Sequence, residues 1–241
     1  MRRLSLIRVF AFRFTQSLDL AGTDTGCGKT EVTLGLMHKL QQQGECVLGM
    51  KPVASGADPT EQGLRNEDAL RIQHQCSLET PYSAVNPFTY QAPIAPHLAA
   101  KVSDRPIRLE EIQQGYDHLQ AISNRVIVEG VGGWHVPLGD DVTLADLARS
   151  LDLPMIMVVG LRLGCINHAL MTAECMLNSG VRFVGWVANR VDPTMQAAAE
   201  NLATLQAWLP APCLGEIPYL EKPTPETVAE SLDGLALGSI Q

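Results

Sequence analysis

Three short apolar runs without alternation leave this 241-residue chain few architectures. Val126-Ile127-Val128, Met155 to Val159 and Phe183 to Ala188 are hydrophobic stretches with no polar residue at every second place, and two of them are rich in β-branched residues. A strand with one wet face alternates apolar and polar side chains, so unbroken runs predict strands covered on both faces. Thr30 to Gln43, Glu67 to Cys76, Leu109 to Ser123, Cys165 to Asn178 and Thr194 to Leu209 carry helical patterns, and Cys46 to Met50 is a weaker strand. Strands separated by helices predict an α/β fold: a mostly parallel sheet with helices on both faces, three layers in all. Ligands of such sheets bind beyond the carboxyl ends of the strands, so functional residues are expected just after each run.

Composition narrows the partners. Apolar residues make up 46% and charged residues 18%, which excludes disorder and coiled coil. A formal charge of -8 gives no global basic field, so no nucleic-acid partner is expected and a polyphosphate would need a local site. The longest apolar run, Leu153 to Leu161, contains Pro154 and Gly160 and is far short of the ~20 residues of a membrane helix. Arg2 and Arg3 before Leu4 to Phe14 resemble the start of a signal peptide, but Arg8 and Arg13 interrupt the apolar stretch and no small-residue cleavage site follows closely. Residues 1–17 are therefore read as an irregular extension and 18–241 as a single domain. Cysteines at 27, 46, 76, 165, 175 and 213 form no CxxC pair, which suits reduced thiols in a cytoplasmic protein.

The chemistry begins at Gly22-Thr23-Asp24-Thr25-Gly26-Cys27-Gly28-Lys29-Thr30, just before a helical pattern. Glycines let backbone N–H groups turn inward around phosphate oxygens, and the following helix presents its positive end to the same anion. Lys29 would reach the β- and γ-phosphates and the Thr30 hydroxyl would ligate Mg²⁺. Gly22 stands one residue earlier than the usual G-x4-G-K-T spacing, and Gln16, Ser17 and Asp19 make the preceding segment a poor strand. The bland alternative is a glycine-rich turn with a surface lysine. Val126 to Val128 ends in Glu129, followed by Gly130, Gly132 and Gly133. A carboxylate at a strand tip beside a phosphate loop can hold Mg²⁺; alone, it equally describes an edge glutamate capping a turn. Lys51 follows the 46–50 strand, where a point charge suits an anion that develops during reaction, although a solvated lysine before a proline turn is the common case. Spacing alone does not choose between Glu67 and Asp68.

Taken together, Gly22-Thr-Asp-Thr with Gly28-Lys-Thr, Lys51-Pro-Val-Ala-Ser-Gly, Gly63-Leu-Arg-Asn-Glu-Asp68, Asn86-Pro-Phe-Thr-Tyr, Glu129-Gly-Val-Gly-Gly-Trp, Leu163-Gly-Cys-Ile-Asn-His and Trp186-Val-Ala-Asn189 resemble the dethiobiotin synthetases, in family order from about Gly22 to Leu220. The resemblance implies a P-loop NTPase-like fold and an ATP-dependent ligase of biotin synthesis, with 7,8-diaminononanoate, CO2 and MgATP as substrates. It implies that one amine captures CO2 as a carbamate, that the carbamate attacks the γ-phosphate, and that the second amine closes the ring as phosphate leaves. Lys51, Lys29 and Thr25 are then the implied catalytic residues, with Ser55, Gly132 and Asn167 contacting substrate. Thr30, Asp68 and Glu129 are the implied Mg²⁺ set, which selects Asp68 over Glu67. The implied ATP contacts are Gly26, Cys27, Gly28, Lys29, Thr30, Glu31, Asp68, Glu129, Gly130, Val131 and Gly132. Asn189 would read adenine, whose edge matches one amide donor and one acceptor, beside Arg190, Pro218, Tyr219, Leu220 and Glu226; Pro225 could align in place of Glu226.

The family is homodimeric, so Asn167 is expected to reach the substrate of a neighbouring subunit. Cys165, His168 and Trp134 are expected to pack. The proline-rich segment Pro81 to His97 is expected to be stiff, non-helical and near the substrate, and Val228 to Gln241 to be loosely packed. Three rivals remain. A partitioning-type P-loop ATPase carries a signature lysine where this chain has Asp24; a nucleotide-binding module without turnover would have no use for so full a set of charged residues; and an amidotransferase-linked ligase would need a further domain.

Overall fold

The computed structural model describes residues 17–232; the rest of the expected N-terminal extension (1–16) and the end of the tail (233–241) lie outside the described residues. The chain opens with β1 (Leu18–Gly22), α1 (Lys29–Gln42), β2 (Val47–Met50), β3 (Val53–Ser55), β4 (Asp58–Thr60) and β5 (Gly63–Arg65). It continues through α2 (Glu67–Gln75), α3 (Tyr82–Val85), β6 (Phe88–Tyr90), α4 (Pro96–Val102) and α5 (Leu109–Ala121). The second half holds β7 (Arg125–Gly133), α6 (Leu144–Leu151), β8 (Met155–Leu161), α7 (Cys165–Asn178), β9 (Phe183–Arg190), α8 (Ala198–Trp208), β10 (Cys213–Ile217) and α9 (Pro225–Glu230). Six strands form one sheet in the order β10-β9-β8-β1-β7-β2, and every pairing in it is parallel.

Strand alternation sorts the side chains into two faces. Leu18, Leu20, Ile127, Ile156 and Val187 pack with Val32, Leu36, Met37 and Leu40 of α1, Ile72 of α2 and Val228 of α9. On the opposite face Met157, Val159 and Trp186 meet α7 and α8, while Leu48, Met50, Val126 and Val128 meet α5 and α6. The expected helices on both faces are therefore present, and the unbroken apolar runs are the strands that both layers cover.

Four local readings change. The segment read as a poor strand forms β1, which lies between β7 and β8 near the middle of the sheet. Ser17 is accommodated by its neighbours: its Oγ accepts from the Val126 N–H at 2.8 Å and pairs with Gln120. The helix expected from Thr194 starts at Ala198. Asp192 Oδ1 accepts from the Thr194 N–H (2.8 Å) and hydroxyl (2.7 Å), turning the chain, and Ala197 has φ +52. The Pro81 to His97 segment is not free of helix: Pro81 precedes the four-residue α3, and Pro96 opens α4 at a position where its missing N–H costs nothing. Val228, Ala229 and Leu232 are buried, so the described start of the tail is part of the core. Gly35 allows this: a Cβ there would lie 2.4 Å from the Val228 side chain.

Candidate active site

The carboxyl ends of β1, β2, β3 and β7 surround a hollow of about 780 Å³. Thr25, Gly26, Gly28, Lys29, Thr30 and Glu31 line one wall. Lys51, Ala54, Ser55 and Asp68 line the second, and Glu129, Val131 and Gly132 the floor. Pro93 to Pro96 and His135 to Pro137 close the remaining side, so the proline-rich segment does reach the hollow.

Glycine shapes the loop at two points. Gly28 has φ +87, and a Cβ there would stand 2.0 Å from Asn189 Nδ2, so a side chain is excluded twice over. At Gly22 a Cβ would meet Cys27 Sγ at 2.6 Å and Lys29 Nζ at 2.7 Å. The early glycine thus leaves room for the loop to fold back on its own lysine. Lys29 Nζ donates to the carbonyls of Asp24 (2.9 Å) and Gly132 (2.8 Å), tying the loop to the glycines after β7.

Glu129 is the polar centre. It is 1% exposed, and its Oε1 accepts from the Thr30 hydroxyl at 2.9 Å and from Lys51 Nζ at 2.5 Å. Asp68 Oδ2 lies 3.3 Å from the same ammonium. Burial by itself depresses Lys51, but the fields of Glu129 and then Asp68 outweigh it, holding the ammonium above the ordinary lysine value. Lys51 therefore stays charged through the neutral range. Its peptide is also gripped: Asn86 Nδ2 donates to the Lys51 carbonyl (2.6 Å), and Tyr82 and Thr89 both donate to Asn86 Oδ1. Asn66 caps α2 by accepting from the Ala69 N–H at 3.2 Å, which puts Asp68 in the first turn facing Lys51. Asn66 and Asn86 are functional supports that the sequence reading did not assign; their signal was an Asn just before a helix and a conformationally restrained Asn-Pro.

Of the buried side-chain polar atoms that lack a hydrogen-bond partner among the described residues, Glu129 Oε2 and Ser55 Oγ belong to residues lining the hollow. An orphaned carboxylate oxygen beside a threonine hydroxyl and a second carboxylate fits a hard divalent cation that completes its shell with phosphate and water. Thr30, Asp68 and Glu129 are the residues that could hold it. No group of three His, Cys, Asp or Glu residues suited to a metal occurs among the described residues.

Beside the loop, Gly28, Glu31, Asn189, Arg190, Pro218, Tyr219 and Leu220 border a second hollow of about 190 Å³. Asn189 Nδ2 donates to the Cys27 carbonyl at 3.0 Å, and Arg190 pairs with Glu216 at 2.6 Å. Cys27 and Gly130 are buried behind the loop and line neither hollow.

Other residues stand apart. Glu226 sits on α9 with its carboxylate 3.8 Å from His38 Nδ1, well down α1 from the loop, and Pro223 rather than Glu226 borders the second hollow. Asn167 is exposed on the first turn of α7 and lines neither hollow of this chain. Trp134 and Cys165 are buried, as expected of packing residues. His168 is not packed: its side chain is 55% exposed, with Nδ1 3.8 Å from Asp24 Oδ2. Arg162, at the end of β8, pairs with the same Asp24, the position at which partitioning ATPases carry a lysine.

The AAA domain family model matches residues 16–227. ATP-dependent dethiobiotin synthetase BioD of Pseudomonas aeruginosa (strain UCBPP-PA14) is 49% identical over 220 residues, covering 91% of this chain and 96% of that protein. The chain belongs to the dethiobiotin synthetase family. The synthetase of the same name from Pseudescherichia vulneris is 47% identical over 226 residues, covering 93% and 94%. Among solved structures, MinD of Aquifex aeolicus gives a TM-score of 0.55 at 15% identity over 92% of this chain and 94% of that one. A ParA family ATPase from Chlorobium tepidum TLS gives 0.55 at 13% identity over 92% of each. These likenesses concern the fold, which this dethiobiotin synthetase family member shares with those proteins, and not the chemistry.

Proposed function

We propose that this chain closes the ureido ring of dethiobiotin from 7,8-diaminononanoate and CO2 at the expense of ATP, with Mg²⁺ as its metal ion. The observation that carries the reading is the convergence of Lys29, Lys51, Thr30, Glu129 and Asp68 on one hollow. An amine of the substrate adds to CO2 and loses a proton, giving a carbamate. A carbamate oxygen attacks the γ-phosphorus as ADP leaves, giving a carbamic–phosphoric anhydride. The second amine attacks the anhydride carbon, and phosphate departs with a proton released to solvent. The second of these encounters, carbamate with γ-phosphate, brings two anions together, and two preorganised ammonium groups offset that repulsion.

Lys29, now bonded to loop carbonyls, would turn to the phosphates, and Lys51 would share its charge between Glu129 and the carbamate. Ser55 Oγ, buried without a partner, is available to the substrate. When bound, Mg²⁺ supplies charge neutralisation at the β- and γ-phosphates, and Thr30, Asp68 and Glu129 would hold it. In the second hollow the backbone and side chain of Asn189 would face adenine, with Tyr219 alongside. Asn167 would serve the substrate of a second copy; the segment bearing it exposes an apolar Leu163 that is 96% accessible. No helix among the described residues is long and apolar enough to cross a membrane, and six free cysteines fit a cytoplasmic setting.

Release of phosphate from ATP, measured with bicarbonate in the presence and absence of the diamino acid, tests the activity. Release that requires the diamine is expected; hydrolysis indifferent to it would favour the switch reading. Thr30→Val is expected to raise the Mg²⁺ concentration for half-maximal turnover by about tenfold or more, since a ligand to the metal is lost. An unchanged Mg²⁺ titration would put the metal elsewhere.

A further inference from the structure

Glu31 follows the metal-binding threonine and borders both hollows, so its carboxylate stands close to where a triphosphate must lie. An anion there would repel the nucleotide unless neutralised. The structure neutralises it with Arg71 of α2, whose two terminal nitrogens reach the two Glu31 oxygens at 2.6 and 2.7 Å. This fork-to-fork pairing is strong and strongly directional. It also has a mechanical consequence. Thr30 stands on α1 and Asp68 on α2, and the pair joins the residue after Thr30 to the residue one turn beyond Asp68.

Asp68 depends on this support. Its side chain is 42% exposed, and its carboxylate meets Lys51 at 3.3 Å. The Asn66 cap fixes the start of α2, and near the hollow the Arg71 bridge links α2 to α1. At their far ends the same helices are joined independently: Gln41 donates to the Gln75 carbonyl at 2.6 Å and Gln75 donates to Gln41 Oε1 at 2.7 Å. Ile72 is fully buried between them. Removing the bridge therefore leaves the helices packed while freeing the end that carries Asp68.

We propose that the Glu31–Arg71 pair is a positioning element that sets the affinity of the site for the metal–nucleotide complex, by fixing Asp68 relative to Thr30 and Glu129 and by cancelling the Glu31 charge. The inference rests on the reading of Thr30, Asp68 and Glu129 as the Mg²⁺ set. Neither residue touches the reacting atoms.

Calorimetric titration with ADP, once with Mg²⁺ and once with EDTA, reads the two effects separately. In Arg71→Ala the unpaired Glu31 weakens both titrations. In the double variant Glu31→Ala/Arg71→Ala the charge is gone, so binding in EDTA recovers relative to Arg71→Ala while MgADP remains about tenfold weaker than in the wild type, the usual scale for losing a partner behind a metal ligand. Arg71→Lys, which keeps the charge but not the fork, is expected to fall between. A double variant that melts near the wild-type temperature and keeps the wild-type ratio of MgADP to ADP affinity overturns the proposal. If Thr30→Val loses that ratio while the double variant keeps it, the pair fails and the metal site stands. If wild-type protein itself shows no preference for MgADP, the metal assignment fails and the proposal falls with it.

Discussion

Lys51→Ala is expected to lower kcat by about two to three orders of magnitude, the cost of removing one preorganised charge from a site that stabilises developing anions. The size follows from where the ammonium sits. It is 5% exposed, lies 2.5 Å from Glu129, and its peptide is fixed through Asn86, Tyr82 and Val85, so nothing need reorganise when charge develops beside it. Water entering the space left by alanine would be a poor substitute. The effect should fall on kcat more than on the KM for ATP, because the phosphate loop, Lys29 and Thr30 remain. The raised pKa of Lys51 sharpens this: its charge, and the stability its ion pairs contribute, is fully present below the ordinary lysine value and lost only as pH rises beyond it. No activity limb from Lys51 should therefore appear near neutrality. Diamine-dependent phosphate release by the folded variant at near-normal rate would remove Lys51 from the chemistry; folding is checked by near-UV circular dichroism, since Glu129 loses a partner in the variant.

How much of this was legible beforehand depended on whether a residue's role is local in sequence. The phosphate loop and Lys51 could be placed because each follows its strand directly, and Glu129 because it ends the apolar run of β7; a parallel sheet collects such positions at one edge. β1 could not. Its polar residues contradict an apolar run, and only neighbours distant in sequence, Gln120 and Val126, explain how Ser17 is accommodated. Asp68 was ambiguous for the same reason: its place depends on Asn66 caping α2 and on Lys51 arriving from another element. The Glu31–Arg71 bridge spans 40 positions and leaves no periodic trace. Glu226 shows how far spacing reaches: one residue of ambiguity is about 100° of helix rotation, which separates it from the alternative Pro225, and in the fold its carboxylate lies near His38.

The largest effect expected on stability lies in that same central strand. Asp19 alternates with Leu18 and Leu20 and so points away from α1 into the α5 side, where it is 4% exposed. Desolvation pushes its pKa up to about 7, and the hydrogen bond from the Leu20 N–H recovers little. In the unfolded chain the same carboxyl has the ordinary value of 3.8. The sign follows directly: the folded state holds a proton that the unfolded state releases, so Asp19 contributes stability that is fully present below about pH 4, erodes as pH rises, and is gone above about pH 7. A gap of this size corresponds to roughly 4 kcal/mol between the two limits. Asp19→Asn keeps the shape and a neutral polar group, and so should be more stable than wild type at pH 8 by an amount approaching that figure, while differing little at pH 4. Urea unfolding of both proteins across pH 4 to 8 measures it, and taking the difference cancels carboxyl groups common to both, such as Asp146, whose Thr143 hydrogen bonds shift it the opposite way. Parallel stability curves for the two proteins would mean that Asp19 is ionised in the fold with a partner of its own, and that the polar residue in β1 is held by attraction and not by protonation.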